Sequence, residues 1–146
     1  MREYLDIVAL STICDVVPLV GVNRAFVRAG LSRLSEKRRL GLSALAAIAR
    51  IDAPFTAHHC GFMLGPRINA GGRVGKSSLG VELLTAGDRQ SADELAALLD
   101  VHNRERQAIE KMIIEEALAM AATQGNAPFV FAHGEGWHPG VVGIVA

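Results

Sequence analysis

The sequence predicts a mainly α fold, and three observations predict it. Apolar residues recur at helical spacing through Tyr4–Val17, Asn23–Leu34 and Leu42–Arg50. A single helical stripe then runs without proline or glycine from Ser91 to Thr123. Beyond Gly125 the pattern changes to a short apolar run and a glycine-rich turn, the opening of an α/β arrangement rather than one more helix.

The first helix carries Leu5, Val8, Ala9, Thr12, Ile13 and Val16 on a wide apolar face. Pro18 disfavours helical geometry at Val17, so the helix stops there or just before. In the second, Phe26, Val27, Leu31 and Leu34 point inward. The third is short, with Ser43 a plausible cap. Ala57–Leu64 has room for one or two helical turns. The run from Gly65 to Lys76 then places Gly65, Pro66, Gly71, Gly72 and Gly75 among three cations, Arg67, Arg73 and Lys76, which predicts a shaped loop. Ser77 or Ser78 can cap the next helix, which carries Leu79, Val81, Leu83 and Leu84.

Ser91-Ala92-Asp93-Glu94 has the form of a capping box at the head of the longest element. Leu95, Leu98, Leu99, His102, Ile109, Met112, Ile113, Ala117 and Met120 continue its stripe, and Gly125 suits its C-terminal cap. Such a helix of about 30 residues would be about 45 Å long. Its polar waist, His102–Gln107, points to a connector between domains rather than a core element. Pro128–Ala132 reads as a short buried strand, His133–Gly140 as a glycine-rich turn, and Val141 onward as the start of a helix. A strand and helix start without partner strands predict that the C-terminus is a truncation.

The chain has 146 residues, half of them apolar, and its 15 Lys and Arg balance 15 Asp and Glu. That is the composition of a globular protein of about one domain. Zero net charge excludes a uniformly basic nucleic-acid binder but leaves room for a local basic site. The two cysteines, Cys14 and Cys60, read as buried free thiols. No apolar run approaches the ~20 residues that span a bilayer. The N-terminus lacks the order of a signal peptide. No membrane and a cytoplasmic location are therefore expected.

Four places could carry chemistry. Asp15 ends an apolar helix, where the helix dipole disfavours negative charge and burial would add to the penalty. A nearby Arg or a metal ion would compensate. In the glycine-rich run, Arg67, Asn69, Arg73 and Lys76 could converge on one anion, glycines allowing close backbone approach. An ordinary solvated surface loop is the alternative. In Gly136–Gly140, Pro139 at a first helical position would aim free amides and the positive dipole end near His138 and Gly140, which favours an anion or is simply a turn. His58 and His59, adjacent and therefore about 100° apart on a helix, would not easily share an ion and read as structural or surface residues.

Taken in order, four stretches resemble the RecJ family of single-stranded-DNA-specific exonucleases within the DHH phosphoesterase superfamily: Tyr4–Leu19, Gly65–Arg73, Asn103–Gln107 and Gly134–Ala146. Ser11 and Cys14 stand where Gly and Ala are usual, and Gly71 where Ala is usual, all small-for-small. The resemblance implies a fragment made of the C-terminal helical part of an α/β DHH catalytic domain (1–88), a long connector helix (89–124) and the first strand and helix start of a second α/β domain (125–146). It implies 5′-to-3′ digestion of single-stranded DNA in repair and recombination with Mn2+ or Mg2+.

In this likeness Asp15 is the catalytic, metal-binding residue. Arg67, Asn69, Arg73 and Lys76, with His138 and Gly140, hold nucleic acid. A single-strand-binding protein is a further candidate partner. The Asp-His-His run of the family is not in this sequence, and one aspartate cannot hold two ions, so the fragment alone is expected to be inactive. Two other readings remain: a phosphoesterase acting on short oligonucleotides, and a non-catalytic nucleic-acid-binding helical module.

Overall fold

In a computed structural model, which describes residues 2–52, 54–126 and 128–145, the chain is built from helices, and no strand occurs among those residues. A 3-10 turn, Arg2–Tyr4, leads into α1 (Leu5–Cys14). α2 follows at Gly21–Ser35, two residues earlier than its sequence pattern begins, and α3 at Leu40–Ile48. α1 lies along α2, buried through Ala9 and Leu10 against Val27, Gly30 and Leu34. Phe26, expected inward, is 40% exposed, because the apolar stripe of α2 is narrow and centred on Val27 and Leu34.

α3 is the middle of the core. Leu42, Ala44, Leu45 and Ala46 are all buried, as in a helix apolar nearly all round. Ser43 does not cap it. The helix begins earlier, with Arg39 in an extended conformation at the cap and Ser43 already donating its backbone N–H to the Arg39 carbonyl. Arg39 also donates from Nε to Asp6 at 3.0 Å and from Nη1 to the Leu84 carbonyl, tying the start of α1 to the C-terminal end of α5 (Leu79–Leu84). Ser78 occupies the N-cap position of α5, without a capping side-chain bond.

The largest difference from expectation lies at residues 65–76. Helical winding begins at Ala57, widens to a π-helical stretch over His59–Leu64, and continues as α4 (Gly65–Val74). The glycines do not break this helix. They allow close packing: a Cβ on Gly65 would lie 2.5 Å from Cys14 Sγ, and one on Gly71 would lie 3.1 Å from Leu99. Pro66 is tolerated because it stands in the first turn. The helix ends at Gly75, where the His102 ring would meet any added Cβ at 2.6 Å.

α6 runs from Arg89 to Thr123, about 50 Å. Its cap is Asp88 rather than Ser91: Asp88 accepts the Ser91 N–H at 2.8 Å, and the Ser91 hydroxyl also donates to Asp88. The helix therefore starts two residues before the expected box. Its first half is core, with Ala92, Ala96 and Leu99 fully buried against α3, α4 and α5. Beyond the polar waist Met112, Ile114 and Leu118 are exposed, while Ile113 is buried. Gly125 follows the cap at φ +61, the left-handed position expected there.

Pro128–Ala132 does not form the expected strand. A strand needs a backbone partner; among the described residues this run is instead held by a side chain, as the Gln124 amide donates to the Phe131 carbonyl at 2.6 Å and accepts the Phe131 N–H at 3.0 Å. The turn at 133–138 leads into α7 (Pro139–Val142), with Pro139 at the first helical position as expected. The Trp137 indole donates to Glu116 at 2.6 Å, pinning this segment onto α6.

Candidate nucleic-acid interface

α1, the π-helical stretch, α4, α6 and the segment after α7 meet around a cleft of about 210 Å³. Its walls include Cys14, Pro66, Asn69, Arg73, Arg106 and Glu110. Asn69 and Arg73 are one helical turn apart on α4 and so share a face. Arg73 donates from Nη1 to the Gly140 carbonyl at 3.0 Å. A Cβ on Gly140 would lie 2.3 Å from the Arg73 carbonyl oxygen, so only glycine permits α7 to approach α4 this closely. The fold thus brings together Asn69, Arg73 and Gly140 from stretches far apart in sequence. His138 is nearby in the chain, but its Nδ1 accepts the Gly140 N–H at 3.1 Å and serves as the α7 cap.

Asp15 is the C-cap of α1, one residue beyond the cleft wall at Cys14. It is exposed rather than buried, so the expected desolvation penalty does not apply. Among the described residues its carboxylate has no hydrogen-bond or ion-pair partner. The turn behind it is strained. Val16, a β-branched residue, adopts φ +55, and the reversal is closed by Val16 N–H to Ile13 and Val17 N–H to Thr12. Left-handed backbone at a residue with a Cβ costs about 1–2 kcal/mol, and here it fixes where the Asp15 carboxylate emerges.

Arg67 and Lys76 do not join them. Arg67 is held between Asp100, at 2.9 Å, and the Met63 carbonyl, at 2.7 Å, on another side of α4. Lys76 is exposed and pairs with Glu82 at 3.3 Å. Two residues to which the sequence assigns no role, Arg106 and Glu110, line the cleft with Asn69 and Arg73. Arg106 is largely buried, pairs with Glu110 and Asn103, and keeps its Nε without a partner. The i, i+4 spacing of Arg106 and Glu110 was a readable signal for their pairing, but nothing in it says which way the pair faces.

Both cysteines are free thiols; Cys60 is buried as expected, whereas Cys14 is only half-buried, with its Sγ 3.6 Å from the Cys60 carbonyl. Burial pushes the Cys60 thiol up to about 12, helped by Cys14. Burial, then the charge of Asp15, raises Cys14 as well. A thiol whose folded pKa is raised stabilises the fold fully below its unfolded value near 9 and loses that contribution as pH rises through about 12. Unfolding stability should therefore fall between pH 9 and 12, by roughly 1.4 kcal/mol per pH unit for one such group. The slope should be shallower in Cys60→Ala. Equal slopes in urea titrations of the two proteins would contradict this.

Among the described residues, no three His, Cys, Asp or Glu side chains are grouped so as to hold a metal ion, and no helix is long and apolar enough to cross a membrane. The fold and the cleft define a helical unit whose cleft is lined by Asn69, Arg73 and the Arg106–Glu110 pair. No family model matches the sequence. Over 146 residues the chain is 41% identical to the single-stranded-DNA-specific exonuclease RecJ of Bacillus subtilis, aligning 99% of this chain with 19% of that protein. It is 42% identical to the Escherichia coli protein of the same name, where 100% of this chain aligns with 26% of the relative. The crystal structure of RecJ from Thermus thermophilus with Mn2+ superposes at a TM-score of 0.88 and 37% identity, over 99% of this chain and 22% of that one. Along nearly its whole length the chain is similar to one segment of the RecJ proteins, and it spans about a fifth to a quarter of the length of these relatives.

Proposed function

We propose that this chain supplies one corner of the active site of a metal-dependent exonuclease that digests single-stranded DNA from the 5′ end in the cytoplasm. The observation that carries the reading is the cleft where Asn69, Arg73 and Arg106 converge one residue from an exposed, unpaired carboxylate. The relatives are named single-stranded-DNA-specific exonucleases, and related structures hold manganese or magnesium.

Asp15 fits a metal ligand: it is accessible, free of protein partners among the described residues, and fixed in direction by the turn at Val16. A divalent ion held there would activate water and neutralise charge at the scissile phosphate. Two such ions need more ligands than one carboxylate, and the rest of a relative-length protein would provide them. Arg73 keeps guanidinium nitrogens beyond its Gly140 bond, and Asn69 adds an amide. Together they would bind the DNA backbone without reading bases.

The test is a chimera in which this chain replaces the matching segment of a RecJ relative. With manganese, the chimera should digest single-stranded DNA, the isolated chain should not, and Asp15→Ala in the chimera should abolish digestion. Arg73→Gln should lower the log–log salt slope of binding by ~0.7, the share of one phosphate on a single strand. Full activity of the Asp15→Ala chimera would overturn the assignment. Preference of the chimera for a dinucleotide over a long strand would favour the short-oligonucleotide phosphoesterase instead.

A further inference from the structure

We propose that His58 and Phe62 form a base-stacking platform that continues the backbone-holding cleft, so that one continuous helical winding takes up both parts of a single strand. The inference rests on the nucleic-acid reading above and adds the bases to it. Phe62 is 74% exposed although it lies between the buried residues Cys60 and Leu64. Its ring stacks on that of His58, with centroids 5.1 Å apart and planes inclined by 26°. Both lie where helical winding widens to the π form, a rare geometry found often at functional sites.

The position of the pair gives it a partner. Pro66, Asn69 and Arg73 follow one another at intervals of three and four residues on α4, the spacing that keeps side chains on one strip of an α-helix, and His58 and Phe62 precede them along the same continuous winding. The stacked rings show that His58 and Phe62 share one side of it. Pro66, Asn69 and Arg73 all line the same cleft. Phe62 follows Gly61, which lines the same cleft, so the ring pair stands beside the cleft's edge. The winding passes from exposed aromatic rings to an amide and a guanidinium, with the Arg106–Glu110 pair also lining the cleft.

That order, apolar π-face then cation, is complementary to a single strand whose phosphates sit among Asn69, Arg73 and Arg106 while a base leans on Phe62. Stacking of this kind tolerates any sequence, because every base has a π-face. A duplex keeps its bases paired and cannot offer one. The platform would thus favour single strands over duplex without reading sequence.

The experiment compares binding of two fluorescent twelve-residue probes to the 146-residue chain: oligothymidine, and an abasic strand with the same phosphates. Phe62→Ala should weaken oligothymidine binding roughly tenfold and leave abasic binding and the salt slope unchanged. Phe62→Trp should restore it. Arg73→Gln should instead weaken both probes. Because Phe62 is so exposed, the alanine variant should retain its helical circular dichroism, and Phe62→Trp decides the matter if it does not. Equal behaviour of wild type and Phe62→Ala towards oligothymidine, or equal weakening towards both probes, would overturn the platform while leaving the cleft intact. Failure of the unsubstituted chain to bind either probe at any salt concentration would overturn the nucleic-acid reading and the platform with it.

Discussion

Gly30→Ala should destabilise the protein by about 3 kcal/mol, at the upper end of what overpacking a core costs. A Cβ built on Gly30 lies 2.1 Å from the Leu5 carbonyl oxygen and 2.4 Å from Ala9 Cβ. Neither neighbour can swing away as the tip of a long side chain could. One is backbone, and the other is a methyl fixed to the α1 backbone and fully buried. Relief requires α1 and α2 to separate, yet α2 is the main surface on which α1 packs. The consequence reaches the cleft, because α1 ends at Cys14 and Asp15. Gly87→Ala is the control: nothing lies within 4 Å of its added Cβ, so its urea midpoint should match or slightly exceed that of the unsubstituted chain. Coincident midpoints for Gly30→Ala and the unsubstituted chain would show that the helices part without penalty.

Glycine also explains where the sequence could be read and where it could not. Gly125 lies beyond a long periodic stripe, and its left-handed role as a helix terminator was legible from position alone. Gly65 and Gly71 carry the same residue type for a different reason, room for Cys14 and Leu99, and those neighbours are 51 and 28 residues away in the chain. Local rules therefore read a loop where tertiary packing makes α4. Asn69 and Arg73 nonetheless line one cleft, since they share a face on a helix as they could have shared a loop. Arg67 is not among the cleft residues, and it pairs with Asp100 and the Met63 carbonyl instead. The apolar run at Pro128–Ala132 was legible as strand-forming, but pairing is a property of two segments, and among the described residues the run is bonded by the Gln124 side chain instead. Arg106 could be seen to pair with Glu110; that the pair faces Asn69 and Arg73 depends on how α6 crosses α4.

Asp100→Ala should be the second most damaging substitution, by about 2–3 kcal/mol, and its partners should rank in a defined order. Asp100 is 8% exposed and receives two arginines: Arg67 through Nε on Oδ1 at 2.9 Å, and Arg104 through Nε and Nη2 on Oδ2 at 3.1 and 2.5 Å. Removing one member of a buried pair strands the other, at about 3–5 kcal/mol when fully desolvated. The Arg67 side chain is 19% exposed and keeps the Met63 carbonyl, which lowers that figure. Arg104 is 71% exposed and returns to water, so Arg104→Ala should lose less than about 1 kcal/mol. Replacing the pair together, Asp100→Leu with Arg67→Met, should recover most of the stability lost by Asp100→Ala, because no charge is then stranded. The same double variant tests the division of labour on α4. If Arg67 only fastens α4 to α6, single-strand binding should keep its salt slope, whereas a phosphate contact by Arg67 would lower it by ~0.7. A lowered slope would return Arg67 to the nucleic-acid surface and make its bond to Asp100 the resting state of a residue that exchanges partners when DNA arrives.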